Sequence, residues 1–279
     1  MFDTHCHLNF GAFDSITDEV VASAVEAGVN QIMIPSTDVT TSEKAIDRAS
    51  KFENIFSAVG IHPHHVFELK TQNNKIKDDL DRIEELLQNK KVLAVGEVGL
   101  DRHYYKSTKY SDYEITNEFM VLQAEVFKLQ VQLALKHSKS LILHNREAKK
   151  EFLTTLLSVW DKKLEGKTVF HCCEPDDELL EFAIKHKLFI GVDGDVTYSK
   201  QKQEFIKRVP LEMLVLETDA PFLSPEPFRS QPRETRGPNM PANLKLIAEF
   251  VATLKEISTE QLSQTTTENA QRLFGLNSS

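Results

Sequence analysis

Eight side chains in this chain are of types that bind cations or move protons, and each follows or ends a short apolar run. His5 and His7 close the first such run, and His62 and His64 follow the third. Glu97 ends the fourth, His144 the fifth, His171 the sixth and Asp219 the eighth. Imidazoles and carboxylates at the ends of buried strands need partners, because an unpartnered polar group loses its hydration. A shared divalent cation would supply one. Hydrolysis by an activated water is the chemistry such a set could carry.

Taken singly, each signal has a plainer reading. Side chains two apart on a strand share a face, so His5 and His7 could chelate, or could be hydrogen-bonded rim histidines. Glu97 interrupts Leu93-Ala94-Val95-Gly96, and alone it fits a buried salt bridge to a neighbouring Arg or Lys. His144 after Leu141-Ile142-Leu143 and His171 after Val169-Phe170 repeat the pattern, and Pro221 stops the chain soon after Asp219. The conjunction on one rim argues for a site. By contrast, His137 and His186 sit near helix ends, where a polar face or a dipole contact explains them. Cys6 points away from its flanking histidines and reads as packing, and Cys172-Cys173 lacks the spacing of a structural zinc site.

The elements that must position these groups are legible as an alternation. Strand candidates are Met1–His5, Gln31–Ile34, Ile55–Val59, Val92–Val95, Leu141–Leu143, Thr168–Phe170, Leu188–Val192 and Met213–Leu216. Amphipathic stretches such as Val20–Ala27 and Phe119–Leu135 lie between them. Thr40 with Glu43, and Ser258 with Gln261, have the spacing of helix-start signals. The strands are nearly all apolar, as in a parallel sheet buried on both faces. Eight of them, alternating with helices, predict an α/β chain folded as a (β/α)8 TIM barrel, with its site at the strand C-terminal ends. A closed barrel, unlike an open doubly wound sheet, brings the first and last strand ends together. One domain over residues 1–279 is the simplest organisation, with the long irregular stretch Pro221–Pro241 at the mouth.

Composition narrows the function class. Lys and Arg number 33 against 42 Asp and Glu, a net charge of −9, which argues against a polycationic nucleic-acid coat. It leaves room for an enzyme whose bound cations offset local acids. Three cysteines, two adjacent, make a poor disulfide framework and fit a reducing compartment. With no signal-peptide pattern and no apolar run of bilayer length, a cytoplasmic location without membrane contact is expected. Nothing indicates an obligate protein partner.

Six ordered phrases carry a family resemblance. They are Phe2-Asp3-Thr4-His5-Cys6-His7-Leu8, Gly60-Ile61-His62-Pro63-His64, Gly96-Glu97-Val98-Gly99-Leu100-Asp101, His144-Asn145-Arg146, Phe170-His171-Cys172 and Glu217-Thr218-Asp219-Ala220-Pro221. Together they closely resemble the TatD-type metal-dependent deoxyribonucleases of the amidohydrolase-like TIM barrels. The resemblance implies two divalent cations, with Mg, Zn, Mn or Ni as candidates. One would be held by His5, His7, Glu97 and Asp219, the other by Glu97, His144 and His171, with Glu97 bridging. It further implies a 3′–5′ exonuclease acting on nucleic-acid ends, single-stranded DNA above all. Glu97 and Asp219 would be catalytic, and Asp219 would orient or deprotonate the attacking water. His62 and Arg146 would contact phosphate oxygens, and Arg229, Arg233 and Arg236 either guide the strand backbone or form a solvated loop.

The alternative is hydrolysis of small C–N or ester substrates on the same scaffold. Glu97 stands where that wider group often carries a carboxylated lysine, which favours the phosphodiesterase. A third reading, a scaffold that has lost catalysis, is opposed by the complete ligand set. Departures from the family pattern lie at Cys173-Glu174-Pro175, at Asp193 and Asp195, and at Met240, all expected in mouth loops that touch the leaving group or the ligands' supports.

Overall fold

The apolar runs build one eight-stranded sheet in the order β1 to β8. Its strands are β1 (Phe2–Asp3), β2 (Gln31–Ile34), β3 (Ile55–Val59), β4 (Val92–Asp101), β5 (Ser140–Arg146), β6 (Thr168–Phe170), β7 (Phe189–Val192) and β8 (Leu214–Leu216). Every neighbouring pair is parallel, with registers such as Ile32 opposite Ile55 and Leu141 opposite Thr168. The computed structural model describes residues 1–69, 75–232 and 234–276. Arg233 lies outside the described residues. The seam between β8 and β1 closes without a ladder: Thr4 N donates to Leu216 O, Asp219 N to His5 O and His7 N to Ala220 O. Cys6 bridges Ala220 there, so the sheet curls into the expected barrel.

Around it run α1 (Thr17–Glu26), α2 (Val39–Ser50), α3 (Val66–Leu69), α4 (Lys75–Leu86) and α5 (Asn117–Lys136). They are followed by α6 (Lys149–Ser158), α7 (Asp177–His186), α8 (Lys200–Arg208), α9 (Leu244–Lys255) and α10 (Thr259–Leu273). Inside the barrel, one residue from each strand fills the axis: Phe2, Met33, Ala58, Ala94, Ile142, Val169, Phe189 and Val215. Leu273 and Phe274 of the final turn pack beneath them and plug the bottom. The interior is therefore a packed floor, and the candidate donor side chains gather above it.

Several boundaries differ from the sequence expectation. β1 is only Phe2–Asp3, and His5 and His7 lie beyond it, held by the seam bonds just described. Glu97 does not end β4, which continues to Asp101 after a register shift between Val95 and Val98. There Glu97 N donates to Ser36 O and Ser36 N to Gly96 O. Such an irregularity re-aims a side chain, and here it lets a carboxylate occur inside an otherwise apolar strand. The start of α2 is also two residues earlier than expected. Asp38 is its cap, accepting from Thr41 N at 2.8 Å while Thr41 Oγ1 accepts from Asp38 N at 2.9 Å. Glu43, expected to pair with Thr40, instead receives Arg82. Ser258 caps α10 as expected, accepting from Gln261 N. None of the described helices is long and apolar enough to cross a membrane.

Candidate metal centre

Five strands, directly or through the loops that follow them, deliver six donor side chains to one point above the packed floor. The loop after β1 supplies His5 and His7, β4 supplies Glu97, β5 His144, the loop after β6 His171, and the loop after β8 Asp219. His5 Nε2 and His7 Nε2 converge to 3.2 Å. Both face Glu97 Oε2, at 3.5 and 3.9 Å, and Asp219 Oδ1, at 3.7 and 3.5 Å. The other Glu97 oxygen faces a second set: His144 Nδ1 at 2.6 Å, His171 Nε2 at 3.6 Å and His62 Nε2 at 3.7 Å. Glu97 thus stands between two groups of nitrogens, one on each oxygen.

Backbone conformation helps aim these groups. Asp219 and Cys172, which adjoins His171, both adopt left-handed φ angles, 50° and 44°. That conformation is tolerated by Asp but is uncommon for Cys, and it persists only where surrounding contacts hold it. Cys172 N donates to Glu217 Oε1 at 2.6 Å, and Asp219 N is held by His5 O. Glu217 also faces His171 Nδ1 at 2.9 Å. Gly191 makes room for it, since a Cβ there would fall 2.5 Å from Glu217 Oε2.

The charges are mutually adjusted. Burial, with the ring of His171 stacked 3.4 Å away, holds His5 well below the ordinary imidazole range. Burial does the same to His62, reinforced by nearby His144. Burial alone would raise Glu97, yet His62, His171 and His144 bring it well below the usual carboxylate range. Burial opposes charge on His144 and His171 too, but the carboxylates around them prevail and raise these imidazoles to about 9 and about 10.

The donor set suits divalent cations. Two imidazole nitrogens 3.2 Å apart can share at most one proton, whereas a cation between them and the two carboxylates would satisfy all four groups. Imidazole and carboxylate together suit Zn, Mn or Ni, and a carboxylate-bearing mouth also admits Mg. His5, His7 and Glu97 form one compact potential ligand group, and Glu97, His144 and His171 another.

Sequence reasoning missed three partners. Asp101, fully buried, faces His144 Nε2 at 3.2 Å and accepts from Tyr105 OH at 2.7 Å. Glu217 orients His171. Asp101 follows Glu97 by four residues and Glu217 precedes Asp219 by two, and that proximity was the available signal. Lys202 is the third: it is fully buried, lies 3.6 Å from Asp193 Oδ2 and 3.4 Å from Asp195 Oδ2, and donates to Cys173 O. Asp193 and Asp195 lie close to Cys172, next to His171, which is the expected place among the ligands' supports, and Asp193 is fully buried there. Glu174 receives Asn145 Nδ2 and Glu147 N, and Met240 packs against the core. His64, grouped with the donors in the sequence, turns instead to Thr108. Arg146 sits at the end of β5, its guanidinium 5.4 Å over the ring of Tyr105.

A family model described as TatD-related DNase matches residues 2–275. The chain belongs to the TatD-related DNase family. Among curated relatives, the metal-dependent hydrolase YabD of Bacillus subtilis (strain 168) is 34 % identical over 279 residues, covering 99 % of this chain and 100 % of its own length. The 3′-5′ ssDNA/RNA exonuclease TatD of Escherichia coli (strain K12) is 31 % identical over 279 residues, covering 99 % of each. Among solved structures, YJJV, a TatD homologue from Escherichia coli K12, superposes with a TM-score of 0.82 at 25 % identity, over 99 % of this chain and 98 % of that one. This member of the TatD family is an enzyme, a metal-dependent hydrolase of the phosphoester class.

Proposed function

We propose that the enzyme is a two-cation phosphodiesterase that removes nucleotides from the 3′ ends of single-stranded DNA. The observation that carries this reading is Glu97, whose two oxygens face two separate nitrogen groups. His5, His7, Glu97 and Asp219 would hold one cation, and Glu97, His144 and His171 the other. When bound, such cations supply acidification of a water and charge stabilisation at a phosphate oxygen.

The chain's own residues do the rest. Asp219 keeps 13 % of its side chain exposed while the histidines beside it are buried, so it is the carboxylate that can reach an attacking water and take its proton. His62, kept neutral by burial, offers a hydrogen bond to a phosphate oxygen without bringing a charge that competes with cations. Arg146 presents a planar fork at the rim, suited to two oxygens of one phosphate. The relative named as an ssDNA/RNA exonuclease supports the choice of substrate.

Residues 1–279 act as one barrel unit, in keeping with the single sheet. The enzyme works in the cytoplasm, in keeping with three unpaired cysteines. No obligate partner chain is part of the proposal.

The test is incubation of the Mg²⁺- or Mn²⁺-loaded enzyme with end-labelled single-stranded DNA. Laddered loss from the 3′ end, abolished in Asp219→Asn, is the expected result. An inert oligonucleotide, with turnover of small amides or lactones, would replace this reading with hydrolysis of small C–N or ester substrates.

A further inference from the structure

The loop that follows Asp219 builds a second feature of the mouth. Phe222 N donates to Asp219 O, and the Phe222 ring stands 6.1 Å from that of His7. Next to it opens a cavity of about 440 Å³, lined by Tyr198, Phe222, Leu223, Arg229, Arg236 and Pro238 among others. That volume falls in the range of about 300–1,000 Å³ typical of pockets for small organic groups.

Its walls are fixed by the fold. A Cβ on Gly194 would lie 2.1 Å from Leu223 O, so only glycine allows the loop to sit this close. Glu226 N donates to Thr197 Oγ1 at 2.8 Å, and Arg236 Nη1 donates to Arg229 O at 2.8 Å. At its far end the loop is tied by Asn239, whose Nδ2 donates to Thr218 O and whose N donates to Pro221 O. The pocket is therefore preformed beside the catalytic carboxylate.

Its chemistry is unusual for this surface. Of 17 phenylalanines, the two left exposed are Phe222 and Phe228, both in this loop. Tyr198 is exposed as well, with the Arg229 guanidinium 5.4 Å over its ring. Among the described residues none that lines it is acidic, in a chain whose net charge is −9. Flat aromatic faces beside guanidinium groups match a planar heteroaromatic ring attached to a phosphate.

We propose that this pocket seats a nucleobase of the substrate, on a nucleotide adjoining the bond that is cut. The proposal rests on the nuclease reading above. Phe222 and Tyr198 offer stacking faces, and Arg229 and Arg236 meet the neighbouring phosphate. Stacking of this kind accepts any base, so the pocket would align a strand end without reading its sequence.

The test uses the metal-loaded enzyme and three labelled oligonucleotides: one intact, one abasic at the last nucleotide and one abasic at the next to last. Loss of one base should lower kcat/KM about tenfold at one of these positions, the scale expected for one stacked base. In Tyr198→Ala/Phe222→Ala the intact and abasic strands should be cut with nearly equal kcat/KM, and Phe222→Trp should keep the discrimination. Both alanine positions are exposed, and circular dichroism checks that the fold is retained. Equal cleavage of all three strands by the unsubstituted enzyme overturns the proposal while leaving the nuclease reading intact. So does full discrimination surviving in the double variant. An enzyme that leaves even the intact strand uncut overturns the nuclease reading, and this pocket's role with it.

Discussion

His171 Nδ1 lies 2.9 Å from Glu217 Oε1, an oxygen that also accepts the backbone N–H of Cys172. One buried carboxylate thereby fixes both the ring and the backbone of the residue that presents Nε2 to Glu97. With its proton committed to Nδ1 and Glu217, the ring offers its Nε2 lone pair to a cation. Glu217→Ala should weaken divalent-cation binding by about 10–100-fold, the usual effect of removing such a support. Calorimetric titration of the metal-stripped protein measures it. Affinity equal to that of the unsubstituted protein would remove Glu217 from this role.

Without cations, His144 is held between Glu97 and Asp101, and His171 between Glu97 and Glu217. Both imidazoles have folded-state values raised above the ordinary 6.5, to about 9 and about 10. Their stabilising contribution is therefore complete below pH 6.5 and is lost as pH rises through 9 to 10. Metal-stripped protein should lose stability over that window, by on the order of a few kcal/mol. Urea unfolding in a chelator reads this directly. The slope should shrink in His144→Gln, and a slope identical in the two proteins would contradict the assignment.

Residues whose surroundings are set by their neighbours along the chain were legible in the sequence, and those placed by partners across space were not. β2, β3 and β6 match their apolar runs residue for residue, because burial on both faces leaves little choice of residue type. The six converging donors were legible because each adjoins such a run. The continuation of β4 past Glu97 was not, since it depends on Ser36, a residue some sixty positions away that pairs across the gap. Asp101, Glu217 and Lys202 were missed for a related reason. Their roles are set by what lies opposite in space, and no periodicity records that. At Asp38 the competing signal was local: its carboxylate and Thr41 form a reciprocal pair that outweighed Thr40 as a cap.

Lys202 links two loops behind the site, with its ammonium fully buried between Asp193, Asp195 and Cys173 O. Lys202→Met would strand a buried carboxylate charge, and breaking such a pair costs about 3–5 kcal/mol. Denaturant unfolding should register that loss. Lys202→Met combined with Asp193→Asn should recover part of it, because the stranded charge is gone. A single variant as stable as the unsubstituted protein would mean that this cluster does not brace the His171 loop.

A Glu97 that bridges two cations should show itself in the number of metal ions bound per chain. Metal-stripped protein titrated with Mn²⁺ or Zn²⁺, then freed of excess and analysed for metal, should retain up to two ions per chain. Glu97→Ala, if it remains folded, should retain fewer and bind them at least about tenfold more weakly, since each proposed set loses a ligand. Two ions held by the Glu97→Ala protein with undiminished affinity, or none held by the unsubstituted protein at millimolar concentration, would contradict the account.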